Sequence, residues 1–171
     1  MNNVIIHKFK LSNLAGVIPL YYIENSPISF SLGRAISVES EMTLTVRLAA
    51  VVNFHESRIF SFIRIDVEDY EVIVFYGAMV TIKSTKPVIR FEVAHSAISR
   101  AGLKSSAPYK FLSEIGYLFY QYSDAAEFKS CVVPQEGNIF AVDKKHLLRY
   151  PFVLKQDLIS IDMLSPNALL I

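Results

Sequence analysis

The fold is predicted mainly from residues 41–94, which read EMTLTVRLAAVVNFHESRIFSFIRIDVEDYEVIVFYGAMVTIKSTKPVIRFEVA. Apolar and polar residues alternate through residues 42–48, which is typical of a half-buried antiparallel strand. The same period returns in residues 58–67 and 88–94, with short polar links between the runs. Residues 71–83 are apolar at odd and even positions alike, as in a strand covered on both faces. The stretch therefore predicts an antiparallel β-meander.

The alternation also predicts which side chains are buried. In the first strand we expect Leu44, Val46 and Leu48 to face the core, and Thr43, Thr45 and Arg47 to face outward. Phe60 and Phe62 lie on the polar face of the second strand, so one end of that face must also be covered. Gly77 within the third strand indicates a bulge or a close approach of another backbone.

The hydrophobic period changes from two to 3.6 after the meander. Ser106 followed by Pro108 is a helix-start signal. The spacing predicts a main helix over about residues 106–126 that backs the sheet. Its apolar stripe is Phe111, Ile115, Leu118 and Tyr122.

Two shorter elements flank this core. Asp143 before an apolar run, with Tyr150-Pro151 after it, predicts a short C-terminal helix over Asp143–Arg149. Val4–Leu11 is predicted as an N-terminal strand. The sequence thus predicts an α+β fold in a single domain, residues 1–171, since 171 residues are within the usual size of one domain.

The composition favours association with another protein. Only 19% of residues are charged and the mean hydropathy is +0.35, which leaves few groups to solvate a monomer's surface. A single cysteine, Cys131, excludes an internal disulfide framework. We therefore expect the partner to be a second copy of the chain or another protein. The alternative is a tightly packed monomer with many exposed Tyr, Ser and Thr side chains.

No sequence motif identifies a catalytic, cofactor-binding or metal site. The four histidines are far apart in sequence, and glycine-rich phosphate loops are missing. Asp66 and Glu68 would lie about 7 Å apart on one face of a strand, where they could hold Mg²⁺. The lysine that often follows such a carboxylate in metal-dependent nucleases is missing, so we expect a solvated strand end.

Charge is segregated along the chain. Residues 56–71 carry a local charge of −3 and residues 83–110 a local charge of +5. Opposite patches that meet between subunits explain this pattern, while basic residues among aromatic ones leave single-stranded nucleic acid as an alternative ligand. The predicted interface residues are Lys83, Lys86, Arg90, Arg100, Lys104, Asp66 and Glu68.

Three hypotheses of function follow. The first is a non-enzymatic interaction or assembly subunit that self-associates or docks in a larger complex. The second is a holdase, because the order of elements over about residues 41–126 resembles the SecB export chaperones, although the chain lacks their strongly acidic charge. The third is a small enzyme or nuclease whose site is assembled from residues distant in sequence. No signal peptide or span of about 20 apolar residues is visible, so we expect a cytoplasmic protein.

Overall fold

The computed structural model describes residues 9–23, 26–31, 40–47, 60–67, 70–93, 106–122, 128–131, 136–149 and 168–170. Within these ranges the strands are β1 Lys10–Leu11, β2 Gly16–Ile23, β3 Ser26–Ser31, β4 Ser40–Val46, β5 Phe62–Ile65, β6 Val88–Val93, β7 Tyr117–Tyr122, β8 Phe128–Ser130, β9 Gly137–Asp143 and β10 Ala168–Leu170. The helices are α1 Glu71–Thr85, α2 Ala107–Glu114 and α3 Lys144–Arg149. The predicted α+β class is confirmed, with an N-terminal strand, a main helix and a short C-terminal helix.

The larger sheet has six strands in the order β10–β5–β6–β9–β7–β8. β10, β5 and β6 run parallel to one another, whereas β9 runs antiparallel to both β6 and β7. The smaller sheet has four strands in the order β1–β4–β2–β3, and β2 is antiparallel to both of its neighbours. The single-domain organisation stays a prediction.

The predicted third strand of the meander is wrong, because Glu71–Thr85 is helix α1. Its buried residues include Val72, Phe75, Ala78 and Ile82, which recur at helical spacing along the side that packs on the sheet. The many β-branched residues favour a strand by propensity, but packing in the folded chain overrides that weak preference.

The helix changes the direction of the strand that follows it. Lys86 adopts a left-handed conformation (φ 50°), its N–H donates to Ile82 O, and Pro87 ends the helix. β6 then pairs in parallel with β5, with Ile65 beside Phe91. Parallel neighbours need a long crossover, so this part of the chain is a β–α–β unit and no antiparallel meander.

The predicted helix over residues 106–126 begins correctly and ends too late. Helix α2 stops at Glu114, and Gly116, at φ 93°, starts the turn into strand β7. In β7 Tyr117 and Phe119 are buried, whereas Leu118 is exposed. The predicted helical stripe therefore crossed a turn, and only its first member, Phe111, is buried on the helix.

The predicted register of the first meander strand is also wrong. In β4 Thr45 is 1% exposed and donates a hydrogen bond to Gly16 O, whereas Leu44 is 49% exposed. Val46 is half-buried against the main core, and Arg47 is exposed as predicted. The small sheet therefore shows apolar side chains to solvent. Leu48, the link 53–57 and residues 4–8 of the predicted N-terminal strand lie outside the described residues.

The predicted cover of the polar face is confirmed for Phe62, which belongs to a second apolar cluster on the far side of the large sheet from α1. Phe60 is also buried, but it packs in the main core, because it precedes β5 and does not continue the alternation of that strand. The predicted cap of the C-terminal helix is confirmed. Asp143 caps the C-terminal helix, because Lys145 N–H donates to its Oδ1 at 2.9 Å.

Candidate functional site

Several charged side chains lie at or near the carboxyl ends of β5 and β6. In sheets with parallel strands, ligands bind in the crevice outside these ends. We call this region the β5–β6 edge and define it by five residues: Arg64, Asp66, Glu71, Arg90 and Glu92.

Asp66 is the first residue after β5. Arg64 Nη2 lies 2.7 Å from its Oδ2, and both side chains are partly exposed, 39% and 35%. The register that pairs Ile65 with Phe91 puts Asp66 and Glu92 one residue further along neighbouring strands. Glu92 is exposed. Two accessible carboxylates therefore stand side by side at the ends of the two parallel strands.

Glu71 is a buried carboxylate in the first turn of α1. Its Oε1 accepts the Val67 backbone N–H at 3.4 Å, which ties the helix start to the chain leaving β5. A negative charge at this place is favoured by the helix dipole. Glu71 thus holds the turn that presents Asp66.

The two arginines of the edge lie on one face of the sheet. Arg64 pairs in register with Arg90, and Arg90 pairs with Phe140 on β9. The Arg90 guanidinium carbon lies 5.8 Å from the centre of the Phe140 ring, within the range of a cation–π contact. The face opposite α1 therefore carries two positive charges beside the acidic ends of the strands.

The opposite end of the sheet is held together by an internal ion pair. Lys86 Nζ lies 3.1 Å from Asp143 Oδ2 and also donates to Ile115 O. Tyr117 OH donates to Pro87 O at 2.9 Å. Burial, and then the charge of Asp143, raise the pKa of Tyr117 above its ordinary value. These contacts join the end of α1 to β7 and β9.

The structure separates the predicted interface residues. Lys83 is exposed on α1, Lys86 is used within the chain by Asp143, and Arg90 and Asp66 belong to the β5–β6 edge. Arg100, Lys104 and Glu68 lie outside the described residues. Their joint role as an interface, and self-association itself, stay predictions.

The described residues also bear on metal sites and membrane spans. No group of three or more His, Cys, Asp or Glu side chains in the described ranges is placed to hold a metal ion. Among the helices described, none is long and apolar enough to cross a membrane.

In open α/β sheets ligands bind outside the carboxyl ends of parallel strands, where this β–α–β unit carries charged side chains. The family model described as methyltransferase FkbM domain matches residues 8–121, which are 114 of the 171 residues. The chain belongs to the methyltransferase FkbM domain family. No curated protein and no solved structure matches it.

The family corrects the predicted function. A non-enzymatic interaction or assembly subunit was the first hypothesis, and it is wrong, because the matched family is one of methyltransferases. The descriptions as a protein-binding complex subunit are wrong for the same reason. Neither the holdase nor the nucleic-acid hypothesis gains support from the match. The hypothesis of an enzyme with a site made from distant residues agrees with it.

Sequence reasoning found Asp66 but missed its neighbours. The sequence pattern predicts Arg90 only as an interface residue of the basic stretch, and it predicts no site role for Arg64, Glu71 or Glu92. A helix over Glu71–Thr85 would have revealed them, because it makes the flanking strands parallel and aligns their carboxyl ends. The sequence signal for that helix was Lys83 in the last turn and Pro87 just beyond it.

Proposed function

We propose that this chain is a methyltransferase that carries out methyl transfer at the β5–β6 edge. The observation that carries the proposal is the family match, because residues 8–121 include all five residues of that edge. Asp66 and Glu92 are exposed there, at the ends of two parallel strands where ligands of such sheets bind.

The family implies S-adenosylmethionine as the methyl donor. Its ammonium group and sulfonium are cationic and its ribose carries hydroxyls, and carboxylates are the protein groups that bind both. Asp66 and Glu92, exposed side by side, fit such a molecule and would hold it. When bound, the donor supplies a methyl carbon on a positively charged sulfur, which an acceptor lone pair attacks while the carbon–sulfur electron pair returns to sulfur.

The residues of the chain position the reactants and provide a proton acceptor. An oxygen or nitrogen acceptor loses a proton as it gains the methyl group. Asp66 is placed to take this proton, because its pair with Arg64 uses Oδ2 and leaves Oδ1 outside that contact. Glu71, through Val67 N–H, keeps the turn and hence Asp66 in place. Such positioning lowers a barrier by removing the entropy of bringing the reactants together.

Equilibrium dialysis of the 171-residue chain with radiolabelled S-adenosylmethionine tests the proposal. We expect saturable one-to-one binding, weakened about tenfold by Asp66→Asn and by Glu92→Gln, since each variant removes one charge-assisted contact. Glu114→Gln is the matched control, because Glu114 is an exposed carboxylate at the end of α2, away from the edge. It should change the affinity less than twofold.

Two results would overturn the proposal. One is a wild-type chain that does not bind the donor. The other is a loss of affinity in Glu114→Gln equal to that in Asp66→Asn, which would mean that only the overall charge matters. Circular dichroism of each variant shows that the fold is kept.

The predicted cytoplasmic location stays a prediction.

A further inference from the structure

A row of aligned residues crosses the face of the large sheet that is turned away from α1. Arg64 on β5 is the register partner of Arg90 on β6, Arg90 of Phe140 on β9, and Phe140 of Tyr120 on β7. Neighbouring strands are about 5 Å apart, so the row begins with two guanidinium groups in adjacent places. Both arginines are partly exposed.

Like charges at directly opposed positions destabilise a sheet. The structure reduces this cost by orienting each guanidinium separately. Asp66 holds Nη2 of Arg64, and the Phe140 ring lies under the guanidinium of Arg90. Because a guanidinium has five N–H donors, the single bond to Asp66 leaves Arg64 with further donors.

Two oriented guanidinium groups side by side match the chemistry of one oxyanion. Carboxylate and phosphate groups accept paired hydrogen bonds from arginine in a planar fork, for which each guanidinium has five N–H donors. Neutral and cationic groups do not offer such paired anionic acceptors. The ligand class is therefore an oxyanion.

We propose that Arg64 and Arg90 bind an oxyanion group, carboxylate or phosphate, of the methyl acceptor. The inference rests on the proposed function, because Asp66 links the arginine pair to the place where the acceptor would lose its proton. The row continues into Phe140, which is buried next to the Arg90 guanidinium and packs in the second apolar cluster beside Leu147, and then into half-buried Tyr120. Acceptors without an acidic group are selected against.

Isothermal titration calorimetry with inorganic phosphate and with malonate tests the pair without any methyl transfer. The titrations are made at low ionic strength, where electrostatic contacts are least screened, and chloride at matched ionic strength is the blank. We expect saturable heat with at least one of the two probes, and the stronger binder identifies the acidic group. Arg64→Gln and Arg90→Gln should each weaken binding at least about tenfold, since charge-assisted hydrogen bonds are lost.

Lys83→Gln is the matched control, because it removes one positive charge from an exposed side chain on α1. Its affinity for the probe should stay within twofold of wild type. Equal weakening in Lys83→Gln, or no saturable heat with either probe, would overturn the inference. If Arg90→Gln loses its fold, the partly exposed Arg64 still provides the test.

The two proposals fail separately. Donor binding without binding of phosphate or malonate would remove the arginine site and keep the methyltransferase proposal. The opposite result is a chain that does not bind S-adenosylmethionine but binds the probe, and loses that binding in Arg64→Gln. This result would keep an oxyanion site and remove its assignment to a methyl acceptor.

Discussion

The two faces of the six-stranded sheet are built from the same strands and differ in what they carry. On the α1 face, Ile63 and Ile65 of β5 and Phe91 of β6 are almost completely buried. Aromatic rings continue this core from Phe75 through Phe91 and Tyr109 to Phe119, with centroids 4.6–5.7 Å apart. On the other face the alternate positions include Arg64, Asp66, Arg90 and Glu92.

This difference shows how one set of strands serves stability and chemistry at once. Alternation gives every second residue to a face, so an apolar face can be packed tightly while the other face keeps charged groups. Substitutions on the α1 face should act on the free energy of unfolding. Substitutions of the charged residues on the opposite face should act on binding.

The largest effect on the free energy of unfolding is expected for a substitution on the packed α1 face. Phe91→Ala removes a fully buried ring between Phe75 and Tyr109 and should lower the free energy of unfolding by about 3–5 kcal/mol. Leu118→Ala is the control on the other face, where the side chain is 41% exposed, and should cost less than about 1 kcal/mol. Urea unfolding followed by circular dichroism measures both. Similar losses would show that the faces do not differ in packing.

An intermediate effect tests the side of α1 that meets the N-terminal segment. A Cβ on Gly77 would lie 1.9 Å from Ser12 O, a backbone atom that cannot move away alone. Gly77→Ala should therefore cost about 1–3 kcal/mol, although alanine is the better helix former. Gly16→Ala meets no atom within 4 Å and should leave the unfolding midpoint unchanged or raised. A more stable Gly77→Ala chain would contradict this close approach.

The smallest effect concerns a buried hydroxyl at the far end of the sheet. Tyr117→Phe removes the hydrogen bond to Pro87 O and should cost about 1 kcal/mol at neutral pH. The pKa of Tyr117 is raised in the folded chain, so its contribution is complete below pH 10 and is lost as pH rises further. Wild type should therefore lose stability more steeply than Tyr117→Phe above pH 10. Parallel pH curves for the two chains would count against burial of this phenol.

Local patterns in the sequence predicted the strands whose faces differ clearly. Val88–Val93 alternates because Ile89, Phe91 and Val93 all face α1 while Arg90 and Glu92 do not. The cap at Asp143 also needed only neighbouring residues. Both features depend on residues that are close together in the sequence.

Helix α1 could not be recognised from alternation because it is apolar nearly all around. Val72 and Phe75 face the core, yet Tyr76 and Val80 are apolar and exposed. The inward turn of Thr45 depends on its bond to Gly16 O, 29 residues away in sequence, so residue type gave the wrong register. The charged edge was missed for a related reason, since Arg64 and Arg90 become neighbours only when α1 makes β5 and β6 parallel.

Hydrogen–deuterium exchange of the chain with and without S-adenosylmethionine tests the central claim, that the β5–β6 edge is where the methyl donor binds. At saturating donor, we predict slower exchange of the backbone amides of residues 65–67 and 91–93, the carboxyl ends of β5 and β6. Amides of residues 16–18 in the four-stranded sheet should exchange at the same rate in both samples. Protection confined to the four-stranded sheet, or no protection at the edge when the donor is saturating, would contradict the account.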